Sequence, residues 1–300
     1  MGTVVSLAIR EAETAAETTS GSVTASEAAA SEAAASEAAA SGAAASEAAA
    51  SGSAVAGGSA VAGGSAATSR ALADAVERAL AVLHHVDDVF STWQPDSPVS
   101  RLRRGEIELD AAPPEVAWVL DLCRRARDAS GGWFDPWGLP GGVDPTGLVK
   151  GWAAELALAE LRGSAEAAMV NAGGDIAVFG EPEPGAQWRI GIRDPRAADQ
   201  LLTVVTLGGH DRAVATSGAY ERGPHVLDPG TDEPAQALLA ATVVGPDLAF
   251  ADALATGLFA SGGKALARIA GLRGYSALVV QDDGSVRTTL GFPAVIEAAA

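Results

Sequence analysis

The 300-residue chain predicts an α+β fold: mixed sheets with flanking helices, in a single domain that a low-complexity insertion interrupts. Three observations carry this. Short apolar or alternating runs bounded by turn residues read as strands, and longer runs with apolar residues at helical spacing lie between them. The two kinds interleave without a strict strand–helix–strand repeat, which favours α+β over a doubly wound parallel sheet. A tract rich in Ala, Ser, Glu and Gly separates the first strand from the rest.

That first strand is TVVSLAI, residues 3–9, so residues 1–10 belong to the domain. The tract at 11–68 holds the repeat SEAAASEAAASEAAASGAAASEAAA and then GGSAVAGGSAVAGGSAA. A period of five rotates around a 3.6-residue helix and builds no steady apolar face, so the tract reads as a disordered, solvated insertion with a flexible end. The remainder of the domain is 69–300. Residues 70–90 predict a helix, with Leu72, Val76, Leu80, Leu83 and Val86 on its spacing, and STWQPDSPVSRL then reads as turns. A second helix spans 114–129, and a Gly/Pro-rich loop opens into a third at 148–161. Strands follow at AAMVNAGGDIAVFG, WRIGIRD, LLTVVTLGG, AVATSG and ALLAATVVG. Helices at 248–260 and 263–269 and a closing strand, SALVVQ, complete the fold.

The formal net charge of −18 argues against nucleic acid or an anionic membrane surface as partner, since both require clustered Lys and Arg. An anionic ligand would need a local cation, which favours a bound metal. The single cysteine, Cys123, falls in an apolar-periodic stretch and reads as a small hydrophobe. No basic, apolar leader or lipid-anchor cysteine is visible near residues 1–12, and no uncharged run is long enough for membrane insertion. The expected location is cytoplasmic.

Candidate chemistry concentrates in three places. Asp252 and Thr256 in ADALATGLF stand four apart on one helix face and offer two hard oxygens suited to Mg²⁺, although such a spacing taken alone more often marks a helix start with a back-bonded threonine. DPTGLVKGW, 144–152, places Lys150 in the first turn of a helix whose free N–H groups can receive a phosphate, without the spacing of a Walker motif. In ATSGAYERGPHVLDPGTDEP, 215–234, the TSG turn contains Ser217, and His225 offers a base near neutrality, although a lone histidine is more often structural. His84 and His85 precede Asp87 and Asp88 but point about 100° apart on a helix, the pattern of a solvated face. The GGD at 173–175 reads as a tight turn.

Taken in order, Met1-Gly2-Thr3, FSTWQPDSPVSRL, GGWFDP, DPTGLVKGW, MVNAGGDI, WRIGIRDP, ATSGAYER, HVLDP and ADALATGLF resemble the FAD:protein FMN transferase family, formerly described as thiamine-biosynthesis lipoproteins. The resemblance covers the chain except about 11–68. It implies a single catalytic domain, FAD as substrate, Mg²⁺ as cofactor, and transfer of FMN to a threonine hydroxyl of a partner protein with release of AMP. Position by position, it implies metal ligation by Asp252, Thr256 and the Gly147 carbonyl. The flavin nucleotide contacts would be Met1, Trp93, Trp133, Phe134, Asp135, Lys150, Ser217, Leu227 and Asp228, and His225 would remove the acceptor proton. Three features depart from the family: the missing export signal and anchor, a short link at 136–143, and Thr231-Asp232-Glu233-Pro234 where Thr-Gly-x-Pro is usual. Two other readings of the same residues are Mg²⁺-dependent hydrolysis of FAD to FMN and AMP, and a non-catalytic flavin-binding module.

Overall fold

The computed structural model of the chain describes residues 4–11, 66–210, 212–218 and 226–295. Met1, His225 and nearly all of the predicted insertion (12–65) lie outside these residues. In chain order the described elements are β1 (Val5–Arg10), α1 (Ala66–Phe90), α2 (Pro98–Arg103), a 3-10 turn (Leu109–Ala111), α3 (Pro114–Ser130), α4 (Thr146–Glu160), β2 (Ala167–Ala172), β3 (Asp175–Phe179), β4 (Trp188–Asp194) and β5 (Ala197–Leu207). They continue with β6 (Ala213–Gly218), β7 (Leu227–Asp228), β8 (Glu233–Pro234), β9 (Leu238–Gly245), α5 (Leu248–Ala260), α6 (Leu266–Ala270), β10 (Ser276–Gln281), β11 (Val286–Thr288) and β12 (Ala294–Val295).

Alternation along the strands decides the layering. The main sheet runs β1-β2-β3-β6-β9-β10-β11 with every neighbour antiparallel. One face presents small or branched residues, among them Ala177, Ala215, Ala241, Val243, Ala277 and Val279, to the helices. Ile176, Val178, Val214 and Val244 point the other way and pack on Ile190, Ile192, Val205 and Leu207 of the second sheet, β12-β5-β4. The architecture is thus a helical layer, a seven-stranded sheet and a three-stranded sheet. Leu7 and Ile9 share one core with Leu72, Ala75 and Ala79, which lie on the far side of residues 12–65 in the chain. Both flanks therefore belong to the same packed unit.

Helices α4 and α5 lie against the main sheet and each other, and their sequences show why they can. Eleven of the thirteen residues of α5 are buried, an apolar surface all round that only a central helix can satisfy. Gly151 of α4 meets α5 at its start: a Cβ there would lie 2.4 Å from the Leu248 carbonyl oxygen. Gly257 of α5 serves the opposite neighbour, where a Cβ would stand 2.9 Å from the Phe134 nitrogen. Asp247 caps α5 by accepting from the Phe250 N–H at 2.9 Å. A second layer of apolar side chains, including Phe90, Val116, Val119 and the fully buried Cys123, fastens α1 and α3 to the outside of this pair. Burial pushes the Cys123 thiol up to about 12, so it stays protonated as a packing group.

Several readings change in detail: SALVVQ (β10) does not close the fold, since β11 and β12 follow it, and the short strands β7 and β8 arise within 215–234. The stretch 91–102 contains a helix, α2, started by the Ser97 hydroxyl, which accepts from the Ser100 N–H at 3.0 Å with Pro98 in the first turn. The Ser-Pro pair is a helix-start signal that the turn-like composition around it obscured. β5 begins at Ala197 because it stays paired with β4 through two register shifts. His84 and His85 sit on an exposed face of α1, where the His85 Nε2 meets Glu115 at 2.9 Å.

The close crossing of α4 and α5 yields a test. Gly151→Ala forces a methyl into the Leu248 carbonyl and should cost about 1–3 kcal/mol, read as a lower denaturant midpoint at unchanged slope.

Candidate active site

The loops at the edge of the helical layer enclose a cleft of about 460 Å³, and the site is best built from the two central helices outward. On α5, Asp252 is 3% exposed, too buried to serve as a surface charge. One of its oxygens accepts from the Gly151 N–H at 3.2 Å; the other lies 3.3 Å from the Lys150 ammonium. One turn along the same face, the Thr256 hydroxyl stands 3.3 Å from that of Ser217, at the end of β6. Gly147, in the first turn of α4, sits beside it: a Cβ there would lie 3.5 Å from the Thr256 hydroxyl oxygen. A carboxylate, two hydroxyls and an ammonium thus converge from α4, α5 and β6, beside Gly147.

The donor chemistry fits a hard divalent cation, which takes oxygen ligands and keeps waters for a phosphate to replace. Among the described residues no group of three or more His, Cys, Asp or Glu side chains gathers as a metal site. The side-chain oxygens of Asp252 and Thr256 line the cleft together with Gly147.

Lys150 has a second carboxylate, which the sequence reading missed. Gly173 and Gly174 make the expected tight turn, both with positive φ, but the next residue, Asp175, opens β3 with 1% of its surface exposed. One of its oxygens accepts from the Thr216 N–H at 3.0 Å, and the other pairs with the Lys150 ammonium. Burying a carboxylate is unfavourable unless it is paired and hydrogen-bonded, and here both conditions hold. Only the pairing of β3 with β6 and their approach to α4 bring these groups together, so no spacing in the chain announces it.

The aromatic wall comes from the end of α3. Gly131 ends that helix in the left-handed conformation, and Arg268 caps the freed carbonyls of Asp128 and Ala129 at 2.7 and 2.8 Å. The Phe134 N–H then donates to the Ser130 hydroxyl at 3.0 Å, which turns Trp133 and Phe134 into the cleft. The Lys264 ammonium lies 5.2 Å from the Trp133 ring centre. Trp93, which also lines the cleft, is 88% exposed.

Among the expected site residues, Trp93, Trp133, Phe134, Asp135, Gly147, Lys150, Ser217, Leu227, Asp252 and Thr256 all line this cleft. Asp228 does not: its side chain turns back to accept from the Gly230 N–H at 2.8 Å. Asp135 lines the cleft with its oxygens engaged by the Trp137 N–H and Arg127.

The fold and cleft define a class: an antiparallel α+β domain whose aromatic-walled site joins a carboxylate, hydroxyls and an ammonium. A family model described as the ApbE family matches residues 1–140 and 138–279, and the chain belongs to that family. The FAD:protein FMN transferase of Rhodobacter capsulatus is 34% identical over 166 residues, 52% of this chain and 31% of that protein. That of Vibrio cholerae is 34% identical over 130 residues, 40% of this chain and 39% of that protein. The matched stretch therefore spans about a third of the length of these relatives. Among solved structures, the ApbE protein of Thermotoga maritima aligns with a TM-score of 0.64 at 24% identity, covering 73% of this chain and 89% of that one. The flavin transferase ApbE of Vibrio cholerae aligns at 0.61 and 24%, covering 75% and 90%. These two establish a shared fold. Among the described residues, no helix is long and apolar enough to cross a membrane.

Behind the site, α4 and α5 are joined by a titrating contact. The Glu155 carboxylate of α4 accepts from the Leu248 N–H at 2.6 Å, and Tyr275 donates to Asp247 at 2.5 Å beside it. Burial pushes Glu155 up from 4.5 to about 7, and burial and the Asp247 carboxylate raise the Tyr275 hydroxyl. A carboxyl that binds its proton more tightly when folded adds stability below pH 4.5 that is lost as pH rises to about 7. Glu155→Gln keeps an acceptor for Leu248 and stays neutral. Its melting temperature should therefore match wild type near pH 4.5, rise above it by pH 7, and hold that gap at higher pH.

Proposed function

We propose that this protein transfers FMN from FAD to a threonine hydroxyl of an acceptor protein, releasing AMP, with Mg²⁺ held by Asp252, Thr256 and the Gly147 carbonyl. The observation that carries this reading is the meeting of Asp252, Thr256, Gly147 and Lys150 at one end of a cleft walled by Trp93, Trp133 and Phe134. Oxygen donors and an ammonium suit a pyrophosphate; the aromatic walls suit the rings on either side of it. Relatives named FAD:protein FMN transferase lend the same assignment support.

In the proposed reaction the acceptor oxygen bonds to the FMN-side phosphorus, the bridging oxygen–phosphorus bond breaks, and AMP leaves with the electron pair. Lys150, held by Asp175 and Asp252, presents its ammonium towards the phosphates and counters their charge. Bound Mg²⁺ would supply Lewis-acid neutralisation of the pyrophosphate, without which a chain of net charge −18 repels its own substrate. Trp133 and Phe134 exclude water from one side of the cleft, which strengthens each electrostatic contact inside it. His225 accepts the proton of the attacking hydroxyl. Ser217, hydrogen-bonded to Thr256, fixes that hydroxyl's orientation.

The test is mass spectrometry of candidate acceptors incubated with the protein, FAD and Mg²⁺. The acceptor should gain the mass of FMN, and Asp252→Ala should slow the gain by about a thousandfold, the usual loss for a group that stabilises transferred charge. AMP release with an unmodified acceptor would instead establish hydrolysis. Tight FAD binding without turnover, indifferent to Asp252→Ala, would establish a binding module.

A further inference from the structure

The segment between Phe134 and α4 forms one wall of the cleft through Asp135, Pro136, Gly138, Leu139 and Asp144. Such a loop would be mobile unless tied down, since most of its backbone groups have no ladder partner. Its beginning is tied to α3: Asp135 pairs with Arg127 at 2.9 Å, and the Arg124 guanidinium lies 5.6 Å from the Trp137 ring centre.

Its far end is tied by the Asp144 N–H, which donates to the Pro136 carbonyl at 2.8 Å, and by one side chain from α2. Arg103 donates from Nη1 to the Asp144 carboxylate at 2.7 Å, from Nη2 to the Pro140 carbonyl at 3.2 Å, and from Nε to the Gly141 carbonyl at 3.3 Å. Arg103 and Asp144 are 16% and 19% exposed, sheltered enough for the charge-assisted bond to count. The loop is shaped around this contact: Gly141 and Gly142 have φ of +83° and +99°, and a Cβ on Gly142 would stand 2.9 Å from the Arg103 carbonyl oxygen. Asp144 passes the constraint on. Its other oxygen accepts from the Thr146 N–H at 3.0 Å and the Thr146 hydroxyl at 2.6 Å, and Gly147 follows.

We propose that Arg103 is a positioning residue for this site: a latch that holds the 138–144 wall against α2 and, through Asp144 and Thr146, fixes that wall to the start of α4. It touches neither the phosphate-facing Lys150 nor the reacting atoms. The geometry requires the guanidinium fork, because three acceptors spread over five residues cannot be met by the single point of a lysine ammonium. The role in substrate binding rests on the FAD reading above; the latch itself does not.

Arg103→Met and Arg103→Lys separate the two. Hydrogen exchange on the full chain without FAD should show amides of 138–147 exchanging about tenfold faster in both variants, with the central helices as protected as in wild type. The KM for FAD should rise about tenfold in both, with kcat within about threefold, the signature of lost binding rather than lost chemistry. Asp144→Asn should raise KM similarly, and adding it to Arg103→Met should cost little more. Unchanged exchange in the loop would overturn the latch. A loosened loop with unchanged KM would overturn its role in binding. If wild type does not process FAD at all, the functional reading falls, while hydrogen exchange still decides whether Arg103 holds the loop.

Discussion

The site depends on how closely α4 and α5 cross. Gly151 lets the helices meet at backbone distance, and the Asp252 carboxylate uses that proximity to accept from the Gly151 N–H. Glu155 repeats the arrangement further along α4, where it receives the Leu248 N–H at the start of α5. Two carboxylates, one from each helix, thus bind backbone donors of the other. The two helices that carry Gly147, Lys150, Asp252 and Thr256 are fixed by polar contacts that also belong to the site or stand directly behind it.

That economy has an electrostatic cost, which the structure offsets locally. Asp175 and Asp252 are both nearly excluded from solvent, and a buried carboxylate is unfavourable unless it finds a partner. Lys150 lies between them, and the Thr216 and Gly151 N–H groups supply further compensation. The ammonium that lines the cleft is thus held between two buried carboxylates. The layers around it serve rigidity: the helical face of the sheet is largely alanine and valine, which allows α5 to sit low against the strands that position Ser217 and Asp175.

Much of this was legible in the chain. The apolar period of 248–260 predicts α5 with its observed bounds, and the four-residue spacing of Asp252 and Thr256 places both on one face. The ordered motifs gather ten expected residues at one cleft because each is short and locally encoded. Asp228 shows the limit. Its place in HVLDP marks it as a ligand contact, whereas in the structure one of its oxygens accepts from the Gly230 N–H within its own turn. Asp175 shows the converse: local sequence explains the Gly-Gly turn before it, whereas its partners stand on α4 and β6.

The sequence by itself determined the α+β class, the order of the longer helices and central strands, and the residue types able to hold a cation, a phosphate or an aromatic ring. Those properties follow from periodicity and side-chain chemistry, which act over a few residues. Tertiary structure alone decided that Lys150 is shared by two buried carboxylates, that Glu155 joins the site helices, and that Arg103 holds the cleft wall from 41 residues away in sequence. Each is a contact between segments distant along the chain, set by glycines that admit close approach and by buried charges that must find a partner.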